Sequence, residues 1–319
     1  MSAFITKVTA RVFGYPGIPG GGNPVTVFLW REINSPTAKI RASLAASCKW
    51  ESVLAHLPRA EQKDENIFST TPSENRLYFY MPSGEEVTFC AHAAMGAAAV
   101  IANEDPSTED TVHFTITKDV KKNATVLDRN TVELDMGAFH EEKHVEERRI
   151  LSLLNQVDLD GEDMERKNLN SPSLNSSVAR HKTLVPIASL QKLHSASNPK
   201  DPSEFKALCD AIESTGVYLY CNNASESHLD VLTYECRQFP RDSGYPEDPA
   251  TGIAAAALAS SIYSRKFSDD SEVRFEIIQG TAMGNKSLIN IVIKGGNVRC
   301  SGLVEIDSKV PLQVNLDGM

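Results

Sequence analysis

Two runs of small residues constrain what this chain can fold into. Residues 91–102 read AHAAMGAAAVIA, and residues 252–262 read GIAAAALASSI. Alanine has the highest intrinsic helix propensity, so both runs predict helices. A helix of such small side chains is thin, and strands can approach it on most of its sides. We therefore expect two buried helices, each wrapped by a curved sheet.

Strand-like segments surround both runs in a similar order. They lie at 6–14, 25–30, 66–69, 76–81, 111–118, 124–136, 183–189, 216–222, 231–239, 274–280, 288–294 and 298–306. Further helices are predicted at 37–49, 141–155 and 203–215. The polar stretch 156–180 predicts an exposed loop or insertion between the halves. The second half thus repeats the pattern of the first. The alternative is that alanine-rich helices are common and that two of them in one chain are a coincidence.

Composition excludes several classes of protein. The 319 residues carry a formal charge of -10, which argues against a broad nucleic-acid interface. We expect no membrane association and a cytoplasmic location, because no apolar run approaches about 18 residues and the N-terminus lacks a signal-peptide core. The cysteines form no CxxC pair, so neither disulfides nor structural zinc are expected; they are Cys48, Cys90, Cys209, Cys221, Cys236 and Cys300.

Cys90 stands out among these cysteines because of its position and its neighbour His92. A thiol at the start of a helix meets unpaired N–H groups and the positive end of the helix dipole, which favours the thiolate. His92 lies two residues on and could pair with it or bind a substrate. The alternative is that Cys90 is a small buried packing residue.

A second cluster, EDPATG, precedes the second alanine run. Pro249 suits the first helical turn, where its missing N–H costs nothing. Exposed amides near Thr251 and Gly252 would offer an anion site for a carboxylate. The alternative is that Asp248 is an ordinary helix N-cap.

Two further segments indicate a functional site only when they are considered together with the clusters above. Glu51 lies where the first helix ends and a strand begins, and taken alone it is an ordinary exposed glutamate. The loop QGTAMGNKS, 279–287, suits a tight turn near a ligand or a plain hairpin turn.

Six segments in order resemble the phenazine-biosynthesis PhzF-like family, within the diaminopimelate epimerase fold. They cover almost the whole chain: GGNPVTVFL, KWESVLAHL, RLYFYMPSGEEVTFCAHAA, TLVPIASLQKL, RQFPRDSGYPEDPATG and QGTAMGNKS. The resemblance implies an α+β fold of two similar domains, each a central helix wrapped by a mostly antiparallel, barrel-like sheet. We place these domains at 1–135, joined by the last strand at about 310–319, and at 136–309.

The resemblance also implies an activity and a site. The expected activity is a cofactor-free isomerase that moves a proton on a small carboxylate-bearing substrate, in a homodimer with the site between the domains. Catalytic roles carry over to Glu51 as the general acid/base and to His92 and Asp248. The expected substrate-binding residues are Asn23, Cys90, Ala91, Ala93, Thr251, Gly252, Ile253 and Gly280. No metal is expected.

Three positions depart from the family pattern. Ala91 replaces a glycine, Ala94 a threonine and Ile253 a serine, so backbone latitude or a hydroxyl donor is lost at each. Lost hydrogen bonds to a buried polar group cost about 1–3 kcal/mol each, which predicts a different substrate or weakened catalysis. Two alternatives therefore stay open: an epimerase that uses Cys90, and a non-catalytic binding relative.

Overall fold

The computed structural model describes residues 2–32, 34–57, 75–104, 110–128, 130–166, 173–223, 231–268 and 271–315. Its strands are β1 (Ser2–Gly14), β2 (Asn23–Trp30), β3 (Ser52–His56), β4 (Arg76–Tyr80), β5 (Glu86–Val87), β6 (Thr111–Thr115), β7 (Lys121–Val126), β8 (Thr131–Gly137), β9 (Glu141–Lys143), β10 (Leu174–Ser177), β11 (Lys182–Pro186), β12 (Gly216–Asn222), β13 (Val231–Pro240), β14 (Glu272–Gln279), β15 (Ser287–Lys294) and β16 (Asn297–Asn315). Its helices are α1 (Ala38–Ala46), α2 (Ala91–Glu104), α3 (Glu147–Gln156), α4 (Leu190–Ser195), α5 (Pro202–Asp210) and α6 (Gly252–Lys266).

The chain divides into two compact units. Unit 1 comprises Met1–Val12, Pro24–Val132 and Val304–Met319, and unit 2 comprises Phe13–Asn23 and Glu133–Leu303. The domain boundaries that the sequence suggests stay a prediction, because compactness alone does not establish an independently folding domain. Within the described residues, no helix is long and apolar enough to cross a membrane.

Unit 1 is built on a mixed sheet. β2 pairs with β3 in parallel, β3 with β4 antiparallel, β4 with β6 in parallel and β6 with β7 antiparallel. α1 connects the first parallel pair and α2 the second, as expected, since parallel neighbours need a crossover connection.

Unit 2 repeats this order of pairings. β11 pairs with β12 in parallel, β12 with β13 antiparallel, β13 with β14 in parallel and β14 with β15 antiparallel. α4 and α5 connect the first parallel pair and α6 the second. The internal repeat predicted from the sequence is therefore present at the level of topology, and α6 in unit 2 is the counterpart of α2 in unit 1.

The two alanine-rich helices are buried on nearly all sides, as predicted. In α2 only Ala99 and the last three residues are more than slightly exposed, and in α6 every residue of Gly252–Tyr263 is buried. Small side chains allow this close packing: a Cβ added at Gly96 would lie 2.8 Å from Cγ1 of Val25.

The other faces of the sheets carry conventional apolar cores. In unit 1 this core joins α1 to β1, β2 and β3 through residues such as Ile40, Phe28 and Leu54. In unit 2 it joins α3, α4 and α5 to β11, β12 and β13 through residues such as Leu153 and Phe239. Each sheet is thus covered on both faces within its own unit.

Two strands of unit 2, β9 and β10, were not predicted because their sequences are polar. The predicted helix 141–155 begins only at Glu147, because Glu141–Lys143 forms β9 against β10. The predicted loop 156–180 contains β10, whose Asn175, Ser176 and Ser177 are buried. Their polar groups are satisfied: Ser176 Oγ donates to Ala257 O at 3.0 Å, and Asn175 Oδ1 accepts from Thr183 at 2.8 Å.

One long predicted strand is two strands, β7 in unit 1 and β8, which begins in unit 1 and continues into unit 2. Residues 124–136 turn between β7 and β8, where the Asp128 carboxylate accepts from the backbone N–H groups of Asn130 and Thr131 at 2.9 and 2.8 Å. An aspartate that bonds its own backbone in this way is a turn former. The predicted strand 66–69 lies outside the described residues.

Candidate functional site

The start of α2 carries a thiol–imidazole pair. The carbonyl of Cys90 accepts the first helical hydrogen bond, from Ala94 N at 2.9 Å, so Cys90 occupies the N-cap position. Its Sγ lies 3.3 Å from Nδ1 of His92. Both side chains are buried, with 7% and 6% of their surfaces exposed. The predicted pairing of Cys90 with His92 is present, in a setting that limits access of water.

Glu51 lies at the same end of unit 1 as this pair. It directly precedes β3, and its carbonyl accepts from Thr26 N at 3.2 Å beside the start of β2. α2 runs in the direction of β2, because Glu104 near its end reaches Arg31, just past the end of β2, at 3.5 Å. The start of α2 therefore lies toward the starts of β2 and β3.

Glu51 is only 6% exposed. The interpretation of this residue as an ordinary exposed glutamate is therefore wrong. A buried carboxylate at the same end of unit 1 as a thiol–imidazole pair can accept and return protons with little competition from bulk water.

The start of α6 in unit 2 holds Asp248 between two donors. Asn23 Nδ2 donates to Oδ1 of Asp248 at 2.7 Å, and Thr251 Oγ1 donates to Oδ2 at 2.6 Å. Asn23 also donates to Ala250 O at 2.7 Å. Asp248 is therefore the centre of a side-chain network, and three predicted site residues, Asn23, Asp248 and Thr251, meet in it.

Asp248 is not the N-cap of α6. The N-cap is Thr251, no side chain among the described residues caps the helix, and Pro249 precedes the helix instead of opening it. Thr251 occupies the place in α6 that Cys90 occupies in α2, since each carbonyl accepts the first helical hydrogen bond. The first-turn amides of α6 are thus left for an anion.

Gln279, at the end of β14, holds this network through four hydrogen bonds, and no sequence pattern singled it out as a site residue. Its Nε2 donates to Asp248 O at 2.7 Å and to Thr251 Oγ1 at 3.1 Å. Its Oε1 accepts from Thr251 N at 3.2 Å and from the Tyr218 hydroxyl at 3.1 Å. Complete burial raises the pKa of Tyr218 well above its ordinary value, so this hydroxyl keeps the proton it donates.

The remaining predicted binding residues lie at the two helix starts and beside Gln279. Ala91 and Ala93 are in the first turn of α2, and Gly252 and Ile253 are in the first turn of α6; all four are buried. Gly280 follows Gln279 with φ +80°, and a Cβ there would lie 2.8 Å from Pro249 O. Gly280 thus lets its loop approach the EDPATG segment closely.

A buried ion pair holds Glu247, the residue before Asp248. Nε and Nη2 of Arg237 donate to the two carboxylate oxygens of Glu247 at 2.8 and 2.7 Å. Nη1 of Arg237 donates to carbonyl oxygens at the end of α4, those of Leu193, His194 and Ala196. The EDPATG segment is thereby fixed at its first residue as well as at Asp248.

The predicted site residues form two sets, one in each unit. Glu51, Cys90, His92, Ala91 and Ala93 belong to unit 1, and Asn23, Asp248, Thr251, Gly252, Ile253 and Gly280 belong to unit 2. Among the described residues, no group of three or more His, Cys, Asp or Glu side chains is arranged to hold a metal ion.

Comparison with known proteins places the chain. Residues 16–307 match the family model described as phenazine biosynthesis-like protein. A PhzF-family phenazine biosynthesis protein of Bacillus anthracis aligns with a TM-score of 0.76 at 15% identity, over 97% of this chain and 99% of that one. A predicted epimerase of Pseudomonas aeruginosa aligns with a TM-score of 0.71 at 20% identity, over 96% and 98% of the chains. These structures share the fold predicted from the sequence.

A curated relative matches over a shorter stretch. An uncharacterized isomerase of Clostridium acetobutylicum is 26% identical over 144 residues, which are 44% of this chain and 42% of that protein. The chain thus spans less than half the length of this relative. The family model, by contrast, covers nearly the whole sequence, and the chain therefore belongs to the phenazine biosynthesis-like protein family.

Proposed function

We propose that this protein is a cofactor-independent isomerase that moves a proton on a small carboxylate-bearing metabolite, with Glu51 as the general acid/base. Family membership supports the class of reaction, as do the names of the Clostridium isomerase and the Pseudomonas predicted epimerase. The observation that carries the proposal is the burial of the Glu51 carboxylate at the end of unit 1 where α2 begins.

The proposed reaction needs no net oxidation. A carboxylate oxygen of Glu51 takes a proton from a carbon next to an electron-withdrawing group, and the electron pair of the C–H bond enters an enolate-like system. The resulting carboxylic acid then returns the proton to another carbon on the same face of the substrate. The proton held by Glu51 exchanges with solvent in a fraction of the turnovers, so reaction in D₂O leaves deuterium in the substrate.

Helix amides supply the charge stabilisation in this proposal. No side chain in the described part of the chain caps the first turn of α6, so the amides of Gly252 and Ile253 are suited to donate to a carboxylate. The amides of Ala91 and Ala93 in α2 would stabilise developing negative charge beside His92 and Cys90. Both oxygens of Asp248 already accept hydrogen bonds, which favours a role in holding the α6 turn over proton abstraction.

Glu51→Gln tests this proposal. We expect the variant to lose roughly 10²–10⁴-fold in the rate of solvent deuterium incorporation, since the amide cannot accept the proton. The measurement is proton NMR of a panel of small carboxylic acids incubated with enzyme in D₂O. Glu85→Gln is the matched control, because Glu85 is an exposed glutamate of the same unit. Undiminished exchange in Glu51→Gln would sink the assignment.

The Cys90–His92 contact favours one alternative, a cysteine-dependent epimerase. Cys90→Ser discriminates the two, because serine keeps the size of the side chain but is a far poorer base than a thiolate. With Glu51 as the base, we expect exchange within roughly tenfold of the unmodified enzyme. A loss as large as that of Glu51→Gln would assign the proton transfer to the thiol. Exchange with no acid of the panel would favour the non-catalytic binding relative instead.

A further inference from the structure

A second concave site lies in unit 2, outside the network around Asp248. Its volume is about 390 Å³, and it lies between the first half of α5 and the loop 241–247 that follows β13. Ligand pockets for small molecules begin at roughly 300 Å³, so the cavity has room for one small metabolite.

The wall of this cavity is preformed. The loop is fixed at its start by Arg241 N, which donates to Thr215 O at 3.2 Å, and at its end by the Glu247–Arg237 ion pair. Proline contributes four lining residues, Pro199, Pro202, Pro240 and Pro246, and these restrict the backbone further. A ligand would therefore bind without a large cost of ordering the protein.

The cavity is apolar at its base and charged at its rim. Phe205 and Pro240 are buried and line the base, and Tyr245 is half-buried beside them. Arg241 and Lys206 supply two cations to the lining, and Asp242 supplies one carboxylate. A fitting ligand therefore needs an apolar body and both signs of charge.

Arg241 at the rim has hydrogen-bond donors available for such a ligand. Arg241 uses only Nη1, at 2.8 Å from Asp210, and within the described part of the chain Nε and Nη2 meet no protein acceptor. Its side chain is 40% exposed. A guanidinium edge of this kind binds a carboxylate through two parallel hydrogen bonds.

We propose that this cavity, lined by Phe205, Arg241, Asp242, Tyr245 and the four prolines, binds an apolar α-amino acid or an equivalent small zwitterion. The carboxylate pairs with Arg241, the ammonium with Asp242, and the apolar side chain lies over Phe205 and Tyr245. Because the loop continues directly into Glu247 and Asp248, a ligand here contacts the segment that carries the network at the start of α6. The proposal does not depend on the isomerase activity.

NMR of protein labelled with ¹⁵N-tyrosine tests the proposal, with L-phenylalanine, benzoate and benzylamine as probes. The sequence has eight tyrosines, and Tyr245→Phe assigns the signal of interest. We expect phenylalanine to shift the Tyr245 amide with a Kd on the order of 10⁻⁴–10⁻³ M, and each singly charged probe to bind at least about tenfold more weakly. If benzoate bound as tightly as phenylalanine, the proposal that the ligand is a zwitterion would be refuted. If no probe shifted the Tyr245 amide signal, the proposal that this cavity is a binding site would be refuted.

Variants separate this site from the proposed catalytic one. Arg241→Gln and Asp242→Asn are each expected to weaken phenylalanine binding at least about tenfold, and both positions are on the surface, so folding is preserved. Arg274→Gln, an exposed arginine on β14, is the control and should bind normally. Glu51→Gln should also bind normally, whether or not it exchanges deuterium. Unchanged binding in both rim variants would refute the assignment of the charges.

Discussion

Replacing Arg237 with Met is expected to lower the free energy of unfolding by about 3–5 kcal/mol, because it leaves a buried carboxylate without its partner. The side chains of Arg237 and Glu247 are only 7% and 5% exposed. Methionine is unbranched, flexible and apolar and has no donor, so the Glu247 carboxylate and the carbonyls at the end of α4 lose their hydrogen bonds together. Urea unfolding followed by circular dichroism measures the change.

Two control variants isolate the buried pair. Arg274→Met removes an arginine that is 63% exposed and 3.2 Å from Glu272, and it should cost no more than about 1 kcal/mol. The double variant Arg237→Met with Glu247→Met removes both charges and should be more stable than Arg237→Met alone by more than about 1 kcal/mol. If Arg237→Met were as stable as Arg274→Met, the pair would not hold the EDPATG segment in the way proposed.

Features that depend on residues close together in the sequence were predicted correctly. The alanine runs became α2 and α6 because their propensity and their small size act in the same direction. Cys90 and His92 are two residues apart, and their contact is possible because Cys90 is the N-cap residue, just outside the regular helical turn. The fold followed from six ordered segments, each of which is weak by itself.

Contacts between segments that are far apart in the sequence could not be predicted from local patterns. Asn23 and Asp248 lie 225 residues apart, and only the family resemblance brought Asn23 into the predicted site. Gln279 was not among the predicted site residues, because a single glutamine at the end of an apolar strand has no periodic signal. Its position directly before Gly280, in a loop already singled out, was the one available hint. Arg237 was missed for the same reason, since its partner Glu247 lies across a loop.

Predictions based on polar composition were wrong where the polar groups are buried. The segment 174–177, LNSS, suggests a loop, yet it is a strand because Asn175 and Ser176 find partners on neighbouring elements. Glu142 lies in a segment that predicts a helix, yet Arg265 of α6 binds its carboxylate with Nη1 at 2.7 Å. Burial and this ion pair act in opposite directions on Glu142, and its pKa is lowered in sum. In both segments, contacts with residues distant in the sequence determine the secondary structure.

The repeated topology sharpens the comparison of the two helix starts. Each follows a strand, a loop and one N-cap residue, Cys90 in α2 and Thr251 in α6. The two positions are chemically different: Cys90 contacts an imidazole, whereas Thr251 donates to a carboxylate. A pair of equivalent acid/base groups is therefore not present at the two N-caps, which favours a single proton carrier, as proposed for Glu51.

Gly280→Ala is expected to destabilise the protein by about 2–5 kcal/mol. A left-handed conformation costs a residue with a Cβ about 1–2 kcal/mol, and overpacking against fixed atoms adds about 1–3 kcal/mol. Gly280 has φ +80°, and its added Cβ would lie 2.3 Å from Asn285 O and 2.8 Å from Pro249 O. Both obstacles are backbone atoms, so no side-chain rotation relieves the clash.

Gly284→Ala provides a control in the same loop. Gly284 has φ +73°, and no atom that the structure describes, apart from its chain neighbours, lies within 4 Å of its added Cβ. Both variants carry the same left-handed penalty and the same gain from a stiffer unfolded chain, so these contributions cancel in the difference. The difference in unfolding free energy between them therefore measures the close approach of the loop to Pro249.

A functional consequence follows from the same contact. To admit the Cβ at position 280, Pro249 must move away from the loop, and with it the adjacent Asp248, whose carbonyl accepts from Gln279 at 2.7 Å. We therefore expect Gly280→Ala, but not Gly284→Ala, to slow deuterium exchange under conditions in which both variants remain folded. If the two variants unfold at the same urea concentration and exchange at the same rate, the close approach at Gly280 is dispensable, and the Asp248 network does not depend on it.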